Sequence, residues 1–479
     1  MNQIALSGIR SFVVIPFSTP FAVAGGLFEP SVWIVLPFVI LLLAIALMPF
    51  IHKHHWENHY PKVSIGLGLI TTIYYLTFLH NAPRMLTTLV EYAGFIALIG
   101  SLFVIAGGIH INMTGRSTPA VNTGLLALGA IVSNLIGTTG ASMLLIRPFL
   151  RINKSRVAAY HVVFFIFIVS NIGGALTPIG DPPLFLGYLK GVPFFWLLTK
   201  PTIVLSWLLC VGVLLALFFV IDALNSRRHK QEPEKPAEDR IELEGSHNFI
   251  FLFVIIALVL VQKADWLKQI EHLSVFTAMG DALGWGAAKA TDAFVTVVIA
   301  TLMIVTAGLS HKFANKDALR ENEFSFGPLR EVGFLFIGIF LTMVPALDLL
   351  EKHAGDLGIT TVRQFFWGSG CLSSVLDNAP TYLNFLTAAF GLQHMSLENP
   401  AHVQAVLGDP KLREYIVAVS LGSVFFGACT YIGNGPNFMV KSIAESAGVK
   451  CPSFFGYIVR YTLPILIPLF VLVSWLFLR

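Results

Sequence analysis

Charge is what this sequence has least of. Only 12% of its 479 residues are Asp, Glu, Lys or Arg, about half the share of a soluble globular chain. With 31 basic and 27 acidic residues, a water-facing surface for 52.5 kDa of protein cannot be built. Soluble enzymes, nucleic-acid binders and disordered chains are excluded on that ground. Cysteine is scarce too: there are 4 (Cys210, Cys371, Cys429, Cys451), with no C-x-x-C spacing. They read as small core residues, not as a disulfide framework or a transition-metal site. No G-x-x-x-x-G-K-[S/T] loop is present to bind ATP, and no nucleophile–base constellation suggests an enzyme or a resident cofactor. The net charge of +4 is too small to indicate a partner.

What the sequence has instead is apolar length. Hydrophobic residues make up 55%, with 40 Phe and 40 Gly, and the mean hydropathy is +0.75. Runs of about 20 apolar residues, enough to cross a bilayer, begin near Ser31, Lys62, Thr88, Val157, Pro201, Asn248, Thr291, Glu331, Leu412 and Ser453. An N-terminal hydrophobic segment, residues 1–30, adds a further span or a secretory signal. The fold class expected is an all-α polytopic membrane protein with about 10–11 spans, whose main partner is the lipid bilayer.

Four segments break this pattern. Ala120–Leu150 and Thr361–Phe390 are each about 30 residues long, with polar and breaker residues in the middle, as suits re-entrant hairpins whose tips are buried in protein. Ser133 to Gly140 interrupts the first and Ser373 to Thr381, including Pro380, the second. Two long runs are broken as well. Thr177-Pro178-Ile179-Gly180-Asp181-Pro182-Pro183 aligns with Thr430-Tyr431-Ile432-Gly433-Asn434-Gly435-Pro436 on a T-x-I-G-[D/N]-x-P pattern. Proline and glycine at these points stop a helix. Three spans, a hairpin, a broken helix and a final span occur in that order twice, so the chain divides into 31–222 and 248–479, joined by a polar linker, 223–247. Basic residues in the linker place it on the cytoplasmic side. Counting spans from there makes the repeats inverted, with the hairpins entering from opposite sides.

Broken backbone at membrane depth is tolerable only where it lines a polar cavity or binds something. Half-helix ends offer N–H groups to anions and carbonyls to cations. Two breaks and two hairpin tips meeting near the midplane make a secondary transporter the expected function. Asp181 and Asp377 lie inside broken elements, where an acid costs about 2.5–3.5 kcal/mol to insert. Either acid could instead serve only as a helix cap. Otherwise one carboxylate holds a proton or a sodium ion in turn. Asn134, Thr138, Thr139, Asn171, Thr177, Asn378, Thr381, Thr430, Asn434 and Asn437 are neutral donors of the oxygen type that hard cations favour. The cluster from His52 to His59 reads as a solvated basic loop. Glu91, His110, Asp292, Glu331 and Asp348 read as interfacial, and Arg147, Arg151, Lys154 and Arg156 as a cytoplasmic basic group.

Ser170 to Pro183 and Ser374-Val375-Leu376-Asp377-Asn378-Ala379-Pro380 resemble signatures of the ion transporter superfamily, which includes D-type sodium:proton antiporters, arsenite permeases, and citrate and dicarboxylate carriers. The likeness covers the whole layout, and is nearest to bacterial proteins described as sodium:proton antiporters or citrate transporters. It implies an inner-membrane homodimer in which a transport domain, holding hairpins and broken helices, moves against a scaffold like an elevator. The expectation is sodium (lithium):proton antiport, with transported Na+ and H+ and no cofactor. Cation-coupled transport of citrate or another organic anion, or arsenite permeation, are the alternatives. The first hairpin carries Ser133-Asn134 where the antiporter branch has Asp-Asn, a pattern similar to sodium-dependent carboxylate carriers.

Overall fold

The computed structural model describes residues 29–114, 117–228 and 240–478. The expected segment 1–30 therefore lies outside the described residues except for its last two, as does 229–239 of the linker. The principal helices are α1 (Leu36–Ile51), α2 (Lys53–Thr77), α3 (Ala82–Gly107), α4 (Pro119–Ile152), α5 (Ala159–Ile168), α6 (Pro182–Leu189), α7 (Pro201–Arg228) and α8 (Asn248–Gln262). They continue with α9 (Ala287–Phe313), α10 (Gly327–His353), α11 (Val362–Ser373), α12 (Asn378–Gly391), α13 (Arg413–Phe426), α14 (Gly435–Ser446) and α15 (Phe454–Phe477). Seven described helices (α1, α3, α4, α7, α9, α10 and α15) are long and apolar enough to cross a membrane. One more span results if Pro400–Gly408 and Arg413–Cys429, bent by 94°, count together. Leucine and isoleucine side chains such as Ile40, Leu43, Ile70, Ile73 and Ile304 face outward, which only a lipid surround makes favourable.

The α4 helix does not cross as a rod. Straight, its 34 residues would span about 51 Å. Instead, Asn122 near its start and Asn153 just past its end exchange side-chain hydrogen bonds of 2.8 and 2.9 Å. The reversal is at Gly137, with φ 79 and ψ 155, a region essentially closed to residues with a Cβ. The second hairpin turns in the gap between α11 and α12, and the ring of Phe385 comes back against Phe365 and Gly368. Both expected hairpins are thus re-entrant.

The same element order occurs in both halves, and the packing repeats with it. α2 lies on α10 as α9 lies on α3, and α1 lies on α2 as α8 lies on α9. These six helices form one body. The hairpins, broken helices, α7 and α15 form the other, which meets the first through α4 on α3 and α12 on α10. The first hairpin's base is held at the Asp222 end of α7 by Asn122. The base of the second, at Thr360, bonds Tyr415 near the start of α13, and that start lies beside Lys200 at the other end of α7. The 28 residues of α7 extend about 42 Å, so the hairpins enter from opposite ends.

At the linker's end, Arg240–Glu244 forms a strand, β2, paired antiparallel with β1 (His110–Thr114), His110 opposite Glu244. One expectation needs correction. The His52 to His59 segment is largely helical, being the first turns of α2, with the rings of His55 and His59 stacked at 4.2 Å.

Candidate functional site

The site forms where both breaks and both hairpin tips meet. After α5 the chain runs through a short 3-10 turn, Ile172–Gly174, to Asp181, where α6 begins with Pro182 and Pro183 in its first turn. Proline is well placed there, since the first N–H groups of a helix have no partner to lose. After α13 the chain passes Gly427–Cys429 to Asn434 and α14, with Pro436 in the equivalent place. Each break is sewn to its own hairpin by its threonine. The Thr177 hydroxyl donates to the Asn134 carbonyl at 2.6 Å, and the Thr430 hydroxyl to the Ser374 carbonyl at 2.6 Å. Each threonine oxygen also accepts from a glycine N–H three residues on, Gly180 or Gly433, both at 3.1 Å. Gly433 must stay small, because a Cβ there would stand 2.7 Å from the Gly427 carbonyl oxygen. Gly435 has open space around it, so packing does not require it.

Asp181 is the hub. It is completely buried and sits at the N-cap position of α6, yet its side chain caps nothing. One carboxylate oxygen accepts from the Thr138 hydroxyl at 2.8 Å and the Asn434 amide at 3.0 Å. The other accepts from the Asn378 amide at 2.5 Å. Thr138 comes from the first hairpin tip, Asn378 from the second and Asn434 from the other break, so one carboxylate draws all four elements together. The Asn378 side-chain oxygen is buried and has no hydrogen-bond partner among the described residues. Among the described residues, no Lys, Arg or His lies within hydrogen-bonding distance of Asp181.

A second tier of amides supports the first. Asn171 donates to the Asn437 oxygen at 2.7 Å, Asn437 to the Gly427 and Thr430 carbonyls, and Asn434 to the Asn171 oxygen at 3.2 Å. Asn134 holds the first hairpin to its break through the Gly173 carbonyl at 2.6 Å and the Leu176 N–H at 2.9 Å. Asp377 behaves otherwise: half-buried, it caps α12 by accepting from the Ala379 N–H at 3.0 Å. Thr381 bonds back to the Asp377 carbonyl within its own helix, above the buried Pro380, and Thr139 is a half-buried neighbour of Thr138. Of the predicted residues, Thr138, Asn378 and Asn434 meet Asp181 directly. Asn134, Asn171, Thr177, Thr430 and Asn437 fix the frame, while Asp377, Thr381 and Thr139 stand beside it.

Sequence reasoning missed two charged groups. Arg156, read as part of a cytoplasmic basic group, is buried and paired with Asp222, which also accepts from Asn122 and Tyr160. Glu91 and Asp348, read as interfacial, join Arg84, Lys190 and Glu398 in a cluster at the outer end of α6. A cavity of about 700 Å³ opens there, and none of the predicted site residues lines it. His110 is likewise buried, bonded to the Asn322 oxygen at 2.9 Å. Nothing in the local sequence marked these partners, which lie tens to hundreds of residues away.

A carboxylate ringed by neutral donors thus lies at the centre of a lipid-facing, twice-repeated helical frame. Comparison with curated proteins gives no match. The model of a family of membrane transporters described as "Putative citrate transport" matches residues 28–478, nearly the whole chain, and the chain belongs to that family.

Proposed function

We propose that this transporter exchanges sodium or lithium for protons, with Asp181 as the group that carries them. The observation behind this is the complete burial of Asp181 among neutral donors, with no basic side chain among the described residues to balance it. A buried carboxylate without a counter-charge is costly, and binding a proton or a cation removes that cost. The unpartnered Asn378 oxygen beside it supplies a neutral ligand of the kind a hard cation takes. Sodium and proton then compete for one carboxylate, which is the minimum that exchange requires. In this reading the body with the hairpins moves against the six-helix body, the protein is a homodimer in a bacterial inner membrane, and the linker is cytoplasmic.

The test is proton release from everted vesicles on addition of sodium or lithium. Dequenching should appear with the native chain and vanish with Asp181→Asn. Full exchange by that variant would end the assignment. The family description favours a second reading, cation-coupled transport of citrate. The absence of basic groups at Asp181 among the described residues opposes a trianion in that spot. Sodium-dependent uptake of labelled citrate, without sodium-driven proton release, would decide for it.

A further inference from the structure

The half-helix α6 touches α12 along its length, and its outer end is tied to the chain beyond α12. Their inner ends meet at the site, through Asn378 and Asp181. Midway they are in close contact, because a Cβ on Gly187 would stand 3.1 Å from the Tyr382 ring carbon that bears the hydroxyl. Lys190, which follows α6 directly, is ion-paired to Glu398, seven residues past the end of α12 and just before the helix Pro400–Gly408. Eight residues separate Asp181 from Lys190, about 12 Å of helix, with no hinge between.

The outer pair is moored to the other body. Lys190 also bonds Glu91 of α3 at 2.7 Å, and Glu398 bonds Arg84 of α3 at 2.8 Å. Arg84 in turn bonds Asp348 of α10 at 3.1 Å. The Lys190 side chain is 5% exposed, so its charge depends on these partners. For Glu398, burial works against the charged form, but Lys190 and Arg84 outweigh it and hold the carboxyl below the usual range.

We propose that Lys190 and Glu398 are positioning residues for the Asp181 site: they fix the far end of α6 to the segment that follows α12, and so the approach of the Asn378 amide to the Asp181 carboxylate. A half-helix held at one end only can tilt, and a tilt of α6 moves Asp181 directly. The proposal uses the cation reading above only for its second measurement.

The first measurement is hydrogen–deuterium exchange of the purified full-length protein without added cation, comparing the native chain with Lys190→Met, Lys190→Arg and Glu398→Gln. Losing one partner of a buried pair is costly enough that amides in residues 177–184 and 376–384 should exchange about tenfold faster in Lys190→Met and Glu398→Gln. Residues 147–156 should be unaffected, and Lys190→Arg should restore protection. Unchanged exchange at 177–184, or uniform acceleration along the chain, overturns the proposal. Should Lys190→Met fail to fold, Glu398→Gln carries the test, since its amide still accepts from Arg84. The second measurement is the rise in Tm on adding sodium, expected to be smaller in Lys190→Met and restored in Lys190→Arg. A native rise that Lys190→Met leaves intact counts against positioning. No rise in the native chain counts against the cation reading alone, and the exchange result then stands by itself.

Discussion

Asp181 and Asp377 are both acids at the start of a half-helix, and the structure gives them different work. Asp377 turns its oxygen to its own helix, onto the Ala379 N–H. Asp181 turns away from α6 and takes its bonds from residues 43, 197 and 253 positions distant. The sequence marked both acids as costly but could not separate these roles, because side-chain direction depends on partners brought in by the fold. The difference is testable. Asn caps a helix as well as Asp does, so Asp377→Asn should leave stability within about 0.5 kcal/mol, whereas Asp377→Ala should lose about 1 kcal/mol in denaturant unfolding. If Asp377→Asn exchanges sodium at the native rate, that acid is a cap and no carrier. Asp181→Asn has no cap to lose, and the expectation there is that the sodium-induced rise in Tm disappears. A native-sized rise in that variant would place the cation elsewhere.

The elements were more legible than the contacts. Hairpins and breaks could be read because Gly, Pro, Asn and Asp inside a long apolar run leave few conformations open. Gly137 is the clearest case. Its φ of 79 with ψ 155 makes α4 reverse, and the next residue, Thr138, supplies both a hydroxyl to Asp181 and an N–H to the Gly180 carbonyl at 2.8 Å. Gly137→Ala should therefore lower stability by about 1–3 kcal/mol and weaken sodium binding together, measured as Tm with and without sodium. A variant with native Tm and native sodium response would show that the turn tolerates a side chain. The β1–β2 ribbon was not legible, since its two five-residue strands lie more than 120 positions apart and are too short to announce a pairing.

At the scale of the molecule, the repeat was visible in the order of elements, but the sorting of charge was only half visible. Arg156 looked like one of several basic residues at a membrane face, and its partner Asp222 is 66 residues away, in α7. Together with Asn122 and Asn153 they pin the base of the first hairpin to α7. Removing one charge from so buried a pair leaves the other uncompensated, so Asp222→Ala should cost about 3–5 kcal/mol in thermal or denaturant unfolding. Replacing Arg156 and Asp222 together with apolar residues should cost much less. The same pin sets the geometry for a test of the whole architecture. Lys154 is exposed near the first hairpin's base, and Lys411 is exposed just before α13, near the second. Those bases lie at opposite ends of α7, about 42 Å apart, more than the hydrocarbon thickness of a bilayer. In a chain whose 4 native cysteines have been replaced, Lys154→Cys and Lys411→Cys should react with a membrane-impermeant maleimide from opposite sides: one in intact cells, the other only after permeabilisation. Labelling of both from one side would mean that the hairpins enter together, and the two halves could not then be inverted copies around a shared carboxylate.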